Sequence, residues 1–111
     1  MRIIEDWQYK YIERSLYNYV KLSSDLETER RMKDAITAAL VFFNGTIHEQ
    51  MIREFYFEAN QNLNRFGTTN RFHEWVCIER LHTTKTNGYV VRREIIYRIA
   101  MNCFISKLFA G

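Results

Sequence analysis

A chain of 111 residues with no proline and four glycines has very little with which to interrupt regular backbone. Sandwiches and barrels of short strands need turn residues every few positions, whereas helices need punctuation only at their ends. The sequence therefore predicts an all-α fold. With 47% hydrophobic residues there is apolar material for one modest core, so the chain reads as a single helical domain, 1–111. The expected architecture is a small bundle of about five helices, with an N-terminal helical hairpin over 1–45 and a helix-turn-helix part over 46–111.

Apolar spacing places the elements. From Asp6 to Leu22, Tyr9, Ile12, Leu16 and Tyr19 with Val20 recur at helical intervals. Trp7 and Tyr11 widen that face. Aromatic rows of this kind usually pack internally, and the competing role is a protein interface, including a homodimer. Ser24 with Glu27 has capping-box spacing and predicts the start of a second helix. Met32, Ile36, Ala39, Leu40 and Phe43 would form its buried face, with Asn44-Gly45 as the stop. Thr46 with Glu49 repeats the box and opens a third helix that turns Met51, Ile52, Phe55 and Tyr56 inward. Between Ala59 and Arg71 the pattern gives way to Asn, Thr and Gly, which predicts a loop. Helical spacing resumes at Phe72, with Thr69 or Asn70 as cap and Trp75, Val76 and Leu81 facing the core.

The stretch Leu81 to Ala100, LHTTKTNGYVVRREIIYRIA, reads as the turn and second helix of a helix-turn-helix. Thr84 is the expected N-cap, and Val91, Ile95, Ile99 and Cys103 form a seam that would anchor the helix. Gly88, one turn before Val91, would let the preceding helix cross closely. Lys85, Thr86, Asn87, Tyr89, Arg92 and Arg93 are the candidate DNA-binding residues: cationic and amide side chains reach base edges and phosphates, and Tyr bonds phosphate. Charge distribution points the same way. From Arg80 to Lys107 there are six basic residues against Glu94 alone, so a chain of net charge +3 carries +5 there and about −2 elsewhere.

In order along the chain, QMIREFYF at Gln50 to Phe57, a further helix, the turn at Leu81 to Thr83, the hydroxyl cap Thr84 and the RR-x-II-x-RIA run from Arg92 together resemble the RinA and ArpU group of small phage late transcriptional regulators. The C-terminal part of those proteins is similar to region 4 of sigma factors. The resemblance covers about half the chain, Gln50 to Ala100. It implies binding to double-stranded DNA, activation of phage late or packaging genes, and a recognition helix beginning at Lys85; an activator of this kind would also need contact with host RNA polymerase.

Catalytic sets are missing from the sequence. His48, His73 and His82 match no metal-ligand spacing, Cys77 and Cys103 form no CxxC, and there is no phosphate loop or nucleophile elbow. The chain is thus expected to be no enzyme, to hold no metal or cofactor, and to work without a membrane in the cytoplasm of a bacterial host cell. The competing functional reading is a small phage protein that binds and modulates a host protein, such as RNA polymerase or a nuclease, without specific DNA binding.

Overall fold

The computed structural model describes residues 4–109, and they fold as six α-helices with no strand among them. Helix α1 is Asp6–Tyr17, followed by a 3-10 turn at Tyr19–Lys21. Next come α2, Glu27–Phe42, α3, Ile47–Met51, and α4, Ala59–Phe66. Helices α5, Thr69–Trp75, and α6, Lys85–Ile105, complete the chain. The bundle exceeds the expected five helices because the stretch predicted as a loop, 59–71, contains α4 and the start of α5. Its asparagines face outward, while Ala59 is buried and Phe66 lies against Phe72 and Trp75. Gly67 ends α4 at φ 81°, a left-handed conformation that costs glycine little.

Helix ends differ in detail from the sequence expectation. The cap of α5 is Thr68, one residue before the expected Thr69 or Asn70, and its hydroxyl accepts from Arg71 N–H at 3.1 Å. Ser24 and Glu27 form no capping box. Instead, Ser23 N–H donates to the Glu29 carboxylate at 3.0 Å, and α2 begins only at Glu27. Thr46 does stand at the start of α3, but its hydroxyl turns back to the Phe43 carbonyl. Glu49 accepts from Gly45 N–H at 2.8 Å rather than from Thr46. That bond, and then Arg53, hold the Glu49 carboxyl below its ordinary range. Asn44-Gly45 ends α2 as expected, with Gly45 at φ 78°.

The inward faces match their spacing. Ile12, Leu16, Met32, Ile36, Ala39, Met51, Ile52, Phe55, Tyr56, Phe72 and Val76 all enter a single core. Val20 does not, because α1 stops at Tyr17 and the 3-10 turn rotates that side chain into solvent. Helix α6 is the axis of the fold, packing on α1, α2, α3 and α5. Helices α3 and α5 each run into a five-residue π turn, Ile52–Tyr56 and Val76–Arg80. The bonds Phe57 N–H to Ile52 O and Leu81 N–H to Val76 O close them, each at 3.0 Å. A π turn widens the helix locally, and here the adjacent pairs Phe55-Tyr56 and Val76-Cys77 are all buried.

Candidate nucleic-acid interface

Helices α5 and α6 are joined by a tight turn. Leu81 is buried beneath it, His82 takes a left-handed φ of 53°, and Thr83 N–H donates to the Cys77 carbonyl at 2.9 Å. Thr84 then caps α6 as the sequence predicts, its hydroxyl accepting from Asn87 N–H at 3.0 Å. The seam Val91, Ile95, Ile99 and Cys103 is buried throughout. Gly88 is the crossing point. A Cβ there would collide with Cys77 Sγ and lie 2.9 Å from His73 Cε1, so α5 approaches α6 as closely as glycine allows.

Five of the six candidate DNA-binding residues lie on the outside of this corner. Lys85, Thr86 and Asn87 occupy the exposed first turn of α6, with Tyr89 and Arg93 following on successive turns. Asn87 Nδ2 donates to Thr83 Oγ1 at 2.9 Å, and Lys85 Nζ lies 3.5 Å from Glu74 in an exposed pair. Tyr89 stacks on His73 with ring centroids 4.0 Å apart and donates its hydroxyl to Asn70 Oδ1 at 3.3 Å. That bond sets the start of α5 beside the second turn of α6; Arg71, the next residue, is exposed, with its guanidinium towards Gly67. Neither Arg71 nor Arg93 has a carboxylate within ion-pair distance among the described residues. Asn70 was expected only as a cap and Arg71 was hidden by the loop expectation, although Gly67 followed by Thr68 is a helix stop followed by a cap.

Arg92 is the exception, and it leaves the set of exposed candidates. It is 8% exposed and lies inside the bundle. Its Nε donates to Tyr56 Oη at 3.0 Å, Nη1 to His73 Nδ1 at 3.1 Å, and Nη2 to Glu13 Oε2 at 2.8 Å and Tyr17 Oη at 3.2 Å. The guanidinium also lies 4.5 Å from the centroid of the Phe55 ring. The reason is positional. Gly88, Arg92, Ile96 and Ala100 form a four-residue row beside the main seam, and all of them are buried.

The network settles other states too. Because Arg92 can only donate, His73 Nδ1 is the acceptor and the ring proton sits on Nε2, from which it bonds the Lys85 carbonyl at 3.0 Å. Burial holds the His73 pKa below its ordinary value, in agreement with a neutral ring. Burial also raises the Tyr17 hydroxyl to about 12 and Tyr56 well above its ordinary value, so both stay protonated.

The other candidate interface has a different character. Trp7 is 58% exposed and packs edge-on against Phe109, and Tyr11 also leans on Phe109 while partly joining the core. The thiols of Cys77 and Cys103 are buried and free, and burial raises both pKa values, Cys103 to about 12. Among the described residues no cluster of His, Cys, Asp or Glu is arranged to hold a metal, and no helix is long and apolar enough to cross a membrane. Comparison of the chain with protein-family models, with curated proteins and with solved structures gives no match.

Proposed function

We propose that this protein binds double-stranded DNA with the corner formed by α5 and α6, and that it regulates transcription as the phage late regulators it resembles do. The observation that carries this reading is the capped, exposed first turn of α6. It presents Lys85, Thr86 and Asn87, followed by Arg93 and with the exposed Arg71 at the start of α5, and neither arginine has a carboxylate partner among the described residues. Amide and cationic side chains on the first turn of a helix suit base edges in a major groove, and the surrounding arginines suit phosphates on either side. No catalytic role is part of the proposal.

Binding of a labelled duplex across a salt series tests it. Each phosphate contact contributes a slope of about −0.9 in log affinity against log salt. Lys85→Ala, Arg93→Ala and Arg71→Ala should each weaken binding, and the arginine variants should each flatten the slope by about one contact. A folded protein that shows no duplex binding at low salt, or a triple variant that binds as the parent does, would sink the reading.

A further inference from the structure

Helix α6 is apolar on more than its core side. Beyond the buried seam, Tyr97, Met101 and Ile105 stand exposed in a row, and Phe42 at the end of α2 continues the patch. Between these two helices runs a groove of about 440 Å³ floored by Phe43 and Ala100. Contiguous exposed apolar surface of this kind marks a contact site.

The charges in the groove indicate what covers it. Among the described residues that line it, which include Ile4 before α1, they are Glu94 and Arg98, one helical turn apart on the same flank of α6. Arg98 lies with its guanidinium carbon 3.9 Å from the Phe42 ring centroid, and its buried Nε has no hydrogen-bond partner among the described residues. Glu94 is more than half exposed, and its other neighbour is His48 Nε2 at 2.9 Å. A polyanion would meet Glu94 and a dry apolar face, and a lipid surface would have to bury a carboxylate. One surface carrying both signs around an apolar centre is complementary to itself, as a two-fold contact requires.

We infer that a second copy of this chain covers the groove between α2 and α6, with α6 antiparallel to α6 and Glu94 of each copy against Arg98 of the other. The two-fold axis then passes α6 near Ile96 and Tyr97, with Tyr97 at the centre and Met101 of each copy to the side. The arrangement also has a length. Thr86 is ten residues before Ile96, which is about 15 Å of helix, so the two reading turns stand about 30 Å apart along the helix direction. That is close to the roughly 34 Å between major-groove half-sites on one face of B-DNA. This last agreement rests on the DNA-binding reading, whereas the dimer itself does not.

Sedimentation equilibrium of the full chain tests the contact. The parent should be a dimer at tens of micromolar, and Glu94→Arg and Arg98→Glu should each weaken the dimer by about tenfold or more, since each places like charges together twice across the axis. An equimolar mixture of the two variants should dimerise again, because the heterodimer restores both opposite-sign pairs. This recovery also shows that each variant is folded. A parent that stays monomeric, single variants that dimerise undiminished, or a mixture that fails to recover overturns the proposal. A monomer that still binds duplex removes the dimer alone, while a dimer that ignores duplex removes only the DNA reading.

Discussion

Arg92 and Glu13 meet at 2.8 Å although 79 positions separate them in the chain, and this pair ties the last helix to the first. Both groups are largely out of solvent, with 10% of the Arg92 side chain and 24% of that of Glu13 accessible. Removing one member leaves the other desolvated and underpaired. Arg92→Ala should therefore lower unfolding free energy by about 3 kcal/mol in urea titrations. Glu13→Ala should cost less, because Arg92 keeps its bonds to Tyr56, His73 and Tyr17, whereas Arg92→Ala removes all of them. A double variant far less damaged than the sum of the singles would verify direct coupling, and full additivity would refute it.

The neutral state of His73 gives the stability a pH dependence. Its native pKa is depressed, so the unfolded chain binds the proton first as pH falls. The stability contributed by the neutral ring is present above about pH 6.5, the unfolded value, and drains away as pH drops from there towards the depressed native value. Urea midpoints measured on either side of that window should fall on the acid side. His73→Gln, which cannot protonate, should flatten that part of the profile.

Gly88→Ala offers a test by sign. In an exposed helix interior this change stabilises by about 1 kcal/mol. Here the new methyl collides with Cys77 Sγ and crowds His73, and forcing atoms into a packed crossing costs about 1–3 kcal/mol. Thermal melting should thus show a net loss, and adding Cys77→Ala should recover much of it.

The caps are ranked by where their hydroxyls point. Thr84→Ala removes a bond to Asn87 N–H and should cost about 1 kcal/mol. Thr46→Ala should cost less, since the Thr46 hydroxyl bonds the Phe43 carbonyl and caps no N–H of α3. Equal losses in chemical denaturation would contradict the geometry.

These residues also mark what the sequence could convey. Three-to-four spacing located the inward faces of α2, α3 and α6, because a single apolar row is enough to orient a helix. It did not separate Arg92 from Arg93. Adjacent arginines look alike until the second row, Gly88, Ile96 and Ala100, is followed, and that row takes Arg92 inside. Helix α4 was obscured for the opposite reason: Ala59, Leu63 and Phe66 keep helical spacing, but five intervening polar residues, three of them Asn, dilute it. The partners of Arg92 come from α1, α5 and the π turn that follows α3, and no local pattern relates positions so far apart. The self-complementary pair Glu94 and Arg98 is visible in sequence, but the apolar groove around it exists only once α2 lies beside α6.

The Lys85 carbonyl, in the first turn of α6, is held by the His73 ring, which is itself held by Arg92 at the centre of the molecule. The outer corner consequently has no joint of its own. Tilting it would break the bond between His73 and the Lys85 carbonyl and disturb the ring that Arg92 holds. Movement of the first turn of α6 is thereby coupled to the buried polar network that joins the first helix to the last.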